Sequence, residues 1–257
     1  MKFFKQILYK LVSPKQYLKL MHLGFYFLYD LNVLKGKPAF KYHYLIKKII
    51  EPDYVVVDIG ANLGYFSKNF ARLTPKGKVI SIEPIPLFFE VLSGFLKKFR
   101  NVEIHNVALG AEEGKAIMVL PTDDGMLRTG LPHVAKDDEE LKKYQNQEVA
   151  IVKGSTMLGA LPKIDYIKCD IEGYEWVVFQ ELESVIQKFK PFVQIEIGHE
   201  NVDNMLTYFS RMGYVQYGIH NYQFVREEGK QQEPGDYLFV PVEKEQDFKH
   251  KIGWQKH

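Results

Sequence analysis

The sequence predicts an α/β protein built on a mostly parallel β-sheet with helices on both faces. From residue 53 onward, short apolar runs alternate with stretches whose apolar residues recur at helical spacing. The apolar runs are rich in Val and Ile, which is typical of strands that are buried on both sides in a parallel sheet. With 257 residues and 46% hydrophobic content, the chain can form one substantial core. In such folds, ligands bind beyond the carboxyl ends of the strands.

The elements follow one another in a regular order. The predicted strands span residues 54–59, 78–82, 102–107, 164–169, 192–197, 214–219 and 237–241. The predicted helices span residues 64–73, 86–98 and 202–211, and one more begins near residue 173. Residues 110–155 interrupt the alternation, and the short apolar runs 116–120 and 148–152 predict a β insertion there. The polar stretch between these runs is interpreted either as a solvated loop or as a lid that contacts an acceptor.

Residues 1–50 form a basic segment that precedes the alternating part of the chain. They contain ten lysines against one acidic residue, Asp30, and sum to +9, whereas the whole chain carries +2. Apolar residues at helical spacing predict one amphipathic helix over residues 2–12 and another over 17–31, separated by Pro14. These helices could pack over the main domain, lie on an anionic membrane surface through residues 1–35, or form an oligomer contact.

Three parts are therefore predicted: a helical extension (1–50), a ligand-binding domain (51–242) and a polar C-terminal tail (243–257). Charged and polar residues interrupt the apolar stretch of the extension and no cleavage motif follows it, so neither a membrane span nor a secretion signal is favoured.

A single cysteine, Cys169, excludes an internal disulfide and a cysteine-based zinc cluster. We expect a cytoplasmic protein, either free or peripheral at the inner membrane surface.

A glycine-containing turn follows the first predicted strand. Asp58 ends the strand, and Gly60, Asn62 and Gly64 lead into a helix. Glycines allow the backbone to approach a ligand closely, and the helix N-terminus offers unpaired N–H groups. A dinucleotide-binding turn has a glycine at the position of Asn62. The asparagine, with an acid nearby, favours S-adenosyl-L-methionine (SAM), whose amino-acid part carries an ammonium group.

Two further strand ends predict contacts with adenosine. Glu83 ends the second strand, where a carboxylate can accept hydrogen bonds from both ribose hydroxyls. Asn106 ends the third strand, and its amide could bind adenine or simply form a turn. A carboxylate at the position of Glu83 suits NAD as well as SAM.

Residues 167–175 contain a second cluster of candidate residues. A strand delivers Asp170 and Glu172 to the carboxyl edge of the sheet, and His199 follows the next strand. Carboxylates at this edge could hold an acceptor hydroxyl, act as a general base or bind a divalent cation, and a histidine could act as a base at neutral pH. The predicted catalytic residues are therefore Asp170, Glu172 and His199. No metal ligand is predicted, because the histidines and carboxylates lack the close spacing of a metal site.

Together these motifs resemble the FkbM family of SAM-dependent (class I) methyltransferases. The similarity covers residues 52–241 and is carried by segments 57–67, 82–86, 106–110, 167–175 and 237–241. It implies a Rossmann-like seven-stranded sheet whose last strand is antiparallel. It also implies SAM as the cofactor, S-adenosylhomocysteine as the product, and O-methylation of a hydroxyl on a sugar, a glycan or a related natural product. The predicted cofactor-binding residues are Asp58, Gly60, Asn62, Gly64, Tyr65, Phe66, Glu83, Pro84, Asn106, Ala108 and Asp170.

Two segments depart from the family pattern on the acceptor side. The chain has Glu196-Ile197-Gly198-His199 where the family often has Glu-Ile-His, and Thr156-Met157-Leu158-Gly159 where it usually has Thr-Leu-Asp. These departures affect the acceptor side and leave the predicted cofactor contacts unchanged.

Three other functions remain as alternatives. An NAD-dependent oxidoreductase is disfavoured by Asn62. A SAM-dependent RNA methyltransferase would use the basic segment, but no aromatic–basic RNA signature accompanies it, so no nucleic-acid partner is expected. A membrane-surface protein with an idle cofactor site is the third. The expected partner is a small hydroxyl-bearing acceptor. Whether the chain forms a homo-oligomer is left open.

Overall fold

A large mixed sheet forms the centre of the computed structural model, which describes residues 9, 11–123, 125–227 and 235–253. In chain order, the strands of the described part are β1 (Val55–Ile59), β2 (Lys78–Ile82), β3 (Val102–His105), β4 (Ala108–Gly110), β5 (Gly114–Leu120), β6 (Thr122–Asp123), β7 (Met126–Leu127), β8 (His133–Val134), β9 (Gln145–Lys153), β10 (Tyr166–Cys169), β11 (Phe192–Ile197), β12 (Tyr214–His220), β13 (Gln223–Arg226) and β14 (Gly235–Pro241). Eight of them form the large sheet in the order β3-β2-β1-β10-β11-β14-β12-β13.

The α-helices are short and lie between or beside these strands. They are α1 (Pro14–Asp30), α2 (Lys41–Leu45), α3 (Tyr65–Leu73), α4 (Pro86–Leu96), α5 (Asp138–Lys143), α6 (Gly154–Gly159), α7 (Glu175–Glu181), α8 (Glu183–Phe189), α9 (Val202–Arg211) and α10 (Glu245–Ile252). Single 3₁₀ turns are formed by Pro38–Phe40, Ile46–Lys48, His199–Asn201 and Val242–Lys244.

The predicted α/β class and all seven predicted strands of the sheet are confirmed. Strand β14 lies antiparallel between β11 and β12, as expected for the last strand. The sheet has an eighth strand, β13, which pairs antiparallel with β12 and was not predicted. Asn221 and Tyr222 connect the two strands with positive φ angles of 49° and 59°. Such hairpin turns usually contain glycine, so this turn gave no sequence signal.

The core lies on both faces of the sheet because the central strands are buried almost throughout. Alternate residues of a strand point to opposite faces. On one face, Val57 and Ile167 pack with helices α6 to α9. On the other face, Val56 and Tyr166 pack with residues 42–50 and with helices α3 and α10. Both faces are therefore covered, and ligands can reach the sheet only at its edges and strand ends.

The described part of the basic extension packs on the main domain, as one of the interpretations expected. Helix α1 begins with a Ser13 cap, and Pro14 occupies its first turn. The Tyr26 hydroxyl donates a hydrogen bond of 2.6 Å to the Tyr65 carbonyl. The predicted helix over residues 2–12 falls mostly outside the described residues. Within the described residues, no helix has the length and apolar character that crossing a membrane requires.

Two peripheral parts complete the molecule. The predicted β insertion forms a separate four-stranded sheet in the order β4-β9-β5-β8. Strands β6 and β7 form a further, two-stranded sheet. The predicted polar tail differs from the structure, because its residues 245–252 form helix α10. Phe248 of this helix is fully buried against the sheet. Ile252 of the same helix packs on the same core cluster. These two apolar residues stand among polar ones, so the sequence pattern did not indicate a docked helix.

Candidate functional site

Two adjoining cavities lie at the carboxyl ends of the central strands. The larger measures about 1100 Å³ and the narrower about 60 Å³. Gly60, Asn62 and Asp170 line both of them. The turn after β1 and the end of β10 therefore form the boundary between the two cavities.

The glycines of the turn are required by the protein's own packing. Gly60 has a φ of 73°, and a Cβ atom there would lie 2.0 Å from the backbone oxygen of Asp170. Gly64 has a φ of 84° and directly precedes α3, and its Cβ would lie 2.6 Å from Leu92 Cδ1. Gly60 lines the cavities, whereas Gly64 does not. The contact of Gly64 with a cofactor stays a prediction.

The side chain of Asp58 is fully buried. The Ser67 hydroxyl donates a hydrogen bond of 2.5 Å to Asp58 Oδ2, and Lys168 Nζ lies 3.6 Å from Oδ1. In this structure the carboxylate therefore holds the turn in place and lines neither cavity. The direct contact of Asp58 with the cofactor stays a prediction.

Lys168 is a buried cation that sequence reasoning missed. Its Nζ donates hydrogen bonds to the Gly60 carbonyl at 3.1 Å and to Asp170 Oδ2 at 3.3 Å. Burial alone lowers the pKa of Lys168, but the charges of Asp170 and Asp58 outweigh burial and raise it above its usual value. The lysine therefore stays charged and ties the turn after β1 to the end of β10. A lysine inside an otherwise apolar strand was the available signal.

Glu83 lies at the end of β2 and lines the narrow cavity. The backbone N–H groups of Asn62 and Ile85 donate hydrogen bonds of 2.7 and 2.8 Å to its two carboxylate oxygens. Burial raises the pKa of Glu83 to about 7, although these two hydrogen bonds oppose the shift. The carboxylate is thus held in one orientation, with each oxygen keeping acceptor capacity.

Asn106 supports the turn after β2. Its Nδ2 donates hydrogen bonds of 2.8 and 2.9 Å to the carbonyls of Glu83 and Pro84. Both amide hydrogens are used in this way, so Asn106 acts here as the predicted turn former. Pro84 lines the narrow cavity, whereas Asn106 and Ala108 do not. Ala108 packs in an apolar cluster at the base of the insertion.

The insertion covers the narrow cavity from outside. Asn62 Nδ2 donates a hydrogen bond of 2.6 Å to the Thr129 carbonyl, and Thr129, Gly130 and Pro132 line the cavity. Asn62 also has a positive φ of 53° and accepts a hydrogen bond from the Leu63 N–H. The asparagine that replaces the middle glycine therefore connects the turn to the insertion.

Six carboxylates line the two cavities. Asp170 lines both, Glu83 and Glu172 line the narrow one, and Glu196, Glu227 and Asp236 line the large one. Burial, followed by the neighbouring carboxylates, raises the pKa of Glu172 and of Glu196 to about 7 and that of Asp236 to about 6. Glu196 and Asp236 lie opposite each other on β11 and β14. The site therefore holds several groups that can exchange a proton near neutral pH.

The structure does not bring His199 to either cavity. The residue is exposed and begins the 3₁₀ turn after β11. The glycine inserted before it lengthens the segment, and Glu196 occupies the cavity wall instead. The prediction of His199 as a base is therefore not supported by its position.

The basic extension supplies one wall of the large cavity. The cavity is lined by Pro38, Ala39, Lys41, Tyr42 and His43, together with Tyr65 and Phe66 of the predicted cofactor set. The His43 ring stacks on Phe66 with centroids 3.8 Å apart. Burial, with a contribution from Lys168, lowers the pKa of His43 to about 3, so it is neutral. No sequence pattern indicated these contacts, because they join segments that are far apart along the chain.

Within residues 9, 11–123, 125–227 and 235–253, no group of three or more His, Cys, Asp or Glu side chains is arranged to hold a metal ion. Cys169, the free cysteine, is buried in β10.

Comparison with known proteins identifies the family of this chain. The model of the Methyltransferase FkbM domain matches residues 58–215, more than half of the chain. Methyltransferase 1 of Beauveria bassiana (strain ARSEF 2860) is 24% identical over 154 residues, which cover 51% of this chain and 59% of that protein. Methyltransferase sdnD of Sordaria araneosa is 26% identical over 152 residues, which cover 58% of this chain and 53% of that protein. The chain matches only about half to three fifths of the length of these relatives.

A solved structure shows the same fold. The crystal structure of Methyltransferase FkbM from Methylobacillus flagellatus KT aligns with a TM-score of 0.51 at 15% identity, over 74% of this chain and 44% of that chain. At this identity the similarity concerns the fold alone. The family model spans the turn after β1, the Glu83 strand end and the Asp170–Glu172 edge, and on that match the chain belongs to the FkbM methyltransferase domain family.

Proposed function

We propose that this protein is a SAM-dependent O-methyltransferase whose cofactor lies across the carboxyl ends of β1, β2 and β10. The observation that carries the proposal is a pair of carboxylates, Glu83 in the narrow cavity and Asp170 at the boundary between the two cavities. Each Glu83 oxygen accepts one backbone hydrogen bond and keeps a lone pair for a ribose hydroxyl. The Asp170 side chain is 39% exposed and can accept from a ligand ammonium group.

The adenosine end requires a movement of the insertion. Cavities that hold drug-sized ligands measure about 300–1000 Å³, and the narrow cavity measures about 60 Å³. Thr129 to Pro132 close it, held by the hydrogen bond from Asn62. We infer that this segment moves outward when the cofactor binds and then covers it.

The large cavity is proposed as the acceptor site. SAM, when bound, supplies the methyl group that the acceptor oxygen takes up, and S-adenosylhomocysteine is the product. Glu196 and Asp236, with pKa values of about 7 and 6, can hold the proton that the hydroxyl loses. Asp170 at the cavity boundary can orient the same hydroxyl.

A hydroxyl-rich acceptor, such as a sugar or a related natural product, suits the lining of this cavity. Carboxylates and the side-chain amides of Gln194 and Gln216 line its wall. These groups accept and donate hydrogen bonds without requiring a charged acceptor. A volume of about 1100 Å³ also leaves room for an acceptor beside the amino-acid end of the cofactor. A cytoplasmic location is proposed with it, on the ground of the single, buried Cys169.

Calorimetry with S-adenosylhomocysteine tests the cofactor site. We expect the wild-type protein to bind it and Glu83→Ala to bind at least about tenfold more weakly, because two ribose hydrogen bonds of about 1 kcal/mol each are lost. Glu148→Ala is the matched control, since Glu148 is an exposed glutamate paired with Lys115 away from the cavities. If folded wild-type protein binds neither SAM nor S-adenosylhomocysteine, the proposal is wrong.

The acceptor is sought in cells that lack the protein. Mass spectrometry of their glycans and small molecules should show a species lighter by one methylene group, which wild-type protein restores. The double variant Glu196→Gln/Asp236→Asn should bind S-adenosylhomocysteine normally and fail to restore the methylated species. Full restoration by this variant would reject the two carboxylates as bases.

A further inference from the structure

Helix α1 has two apolar faces. Its inner face carries Leu18, His22, Tyr26 and Tyr29, all at most 4% exposed. Its outer face carries Leu20, Leu23 and Phe27, which are 43%, 52% and 67% exposed, and Leu31, the C-cap residue, is 59% exposed. We call these four residues the apolar stripe. The inner face alone explains how the helix packs on the domain. The stripe therefore has no role in the described fold.

The spacing makes the stripe a continuous surface. Its residues follow one another at intervals of three, four and four positions, which align on one side of an α-helix. Single exposed apolar residues are common, whereas an aligned set of large ones marks an interaction surface. Val33, 55% exposed, extends the apolar surface just beyond the end of the helix.

The charges around the stripe are positive. Lys19 lies beside it, and Lys35 and Lys37 follow Val33, and all three are exposed. The acidic residue of this region, Asp30, is paired with the Arg72 guanidinium through hydrogen bonds of 2.9 and 3.3 Å. An apolar helix face bordered by free lysines fits a bilayer with anionic headgroups. It does not fit a second copy of the same stripe, because the lysines of the two copies would face one another.

We propose that the apolar stripe and its lysines dock this protein on an anionic lipid surface, with helix α1 lying in the plane of the interface. The docking leaves the inner face of α1 on the domain, as described. It also places the opening of the large cavity near the lipid. The chain runs from Lys37 directly into Pro38, Ala39 and Lys41 of the cavity wall. Tyr222, on the hairpin turn after cavity residue His220, donates a hydrogen bond of 3.1 Å to the Lys37 carbonyl.

Vesicle co-sedimentation of the full chain tests the proposal. We compare vesicles of phosphatidylcholine alone with vesicles that also contain phosphatidylglycerol, at low and at high salt. Three lysines at the surface, at about 1 kcal/mol each, correspond to an affinity about a hundredfold higher for the anionic vesicles at low salt. High salt should remove most of this difference.

Point variants are preferable to truncation, because deleting residues 1–35 would also remove Tyr26 and Tyr29 from the buried face. Leu23→Glu/Phe27→Glu should reduce binding to anionic vesicles at least about tenfold, since two apolar side chains are replaced by charges of the repelled sign. Val242→Glu is the matched control, because Val242 is 54% exposed and lies outside helix α1. Circular dichroism and S-adenosylhomocysteine binding establish that each variant is folded.

Three results would overturn the proposal. One is equal affinity for neutral and anionic vesicles, or no affinity for either. Another is unchanged binding by the stripe double variant. The third is a wild-type dimer in light scattering that becomes a monomer in the double variant, which would make the stripe a contact between two copies. None of these results bears on the methyltransferase site, because the stripe is on the face of α1 that points away from the domain.

Discussion

At the scale of single residues, the glycines of the turn after β1 illustrate how packing and backbone conformation combine. Gly60 and Gly64 both have positive φ angles and protein atoms where a Cβ would be. We expect Gly64→Ala to lower the free energy of unfolding by about 1–3 kcal/mol, because Leu92 can shift only in part. Gly60→Ala should lower it by about 3 kcal/mol or more, since its Cβ would meet the Asp170 backbone oxygen. Urea unfolding measures both changes.

Gly94 supplies the control for this pair. It lies in helix α4, is exposed, and has nothing within 4 Å of a Cβ built on it. Gly94→Ala should therefore be neutral or stabilise by up to about 1 kcal/mol through helix propensity. Comparable destabilisation by all three substitutions would contradict the packing argument.

Glu83 makes the stability of the protein depend on pH. Its pKa rises from 4.5 to about 7 on folding, chiefly through burial. Between these values the folded protein holds the proton more tightly than the unfolded chain, so this contribution to stability is present below pH 4.5 and is lost as the pH rises through 7. Over this window we expect the wild type to lose up to about 3 kcal/mol more than Glu83→Gln. Urea unfolding at several pH values measures the slopes, and identical slopes would rule out the shift.

The sequence predicted which residues lie at the strand ends better than it predicted what each of them does. The positions of Asp58, Glu83 and Asp170 at strand ends followed from the apolar runs before them. That Asp58 is sealed could not be predicted, because its partners, Ser67 and Lys168, come from a neighbouring helix and from a strand about a hundred residues away. The sequence pattern identifies which residues meet at the sheet edge and leaves open which of them face outward.

At the scale of elements, helix α1 allows a direct comparison of its two faces. Tyr26 is 3% exposed and contacts the main domain, whereas its neighbour Phe27 is 67% exposed. Tyr26→Ala should lower the free energy of unfolding by about 3–5 kcal/mol, because it removes a buried ring and its hydrogen bond to Tyr65. Phe27→Ala should change it by less than about 0.5 kcal/mol. Denaturant titration of the two variants decides whether the extension is part of the cooperative fold, and equally small effects would mean that it is not.

Element boundaries were predictable where the apolar pattern ended at a turn signal. Strands β2 and β11 and helix α9 have the bounds expected from the sequence. Strand β13 was missed because its turn uses Tyr222 at positive φ, which a side chain rarely adopts. Helix α10 was missed because its packing residues, Phe248 and Ile252, stand among polar neighbours. Both misses concern elements whose stability comes from tertiary packing instead of local pattern.

At the scale of the whole molecule, the site is assembled from parts that are distant along the chain. The sheet supplies Glu83, Asp170 and Glu196, the extension supplies His43, and the insertion supplies Thr129. Only the sheet edge could be predicted, because a parallel sheet brings the carboxyl ends of its strands together whatever else surrounds them. The walls contributed by the extension and the insertion determine which acceptor fits, and they follow from contacts that local patterns do not encode.

Because the site combines the sheet, the extension and the insertion, we expect cofactor binding to affect the molecule as a whole. A ligand that binds only the folded state at a hundred times its dissociation constant stabilises it by about 2.7 kcal/mol. S-adenosylhomocysteine should do so for wild type and for Glu148→Ala, whereas the same concentration should have a smaller effect on Glu83→Ala. Hydrogen exchange should at the same time slow in residues 60–64 and 126–134, because the ligand would join the turn after β1 to the insertion strands β7 and β8. If the ligand stabilises the protein while exchange in 126–134 is unchanged, the insertion does not close over the cofactor. If Glu83→Ala is stabilised as much as the wild type, the ligand occupies another place on the sheet edge.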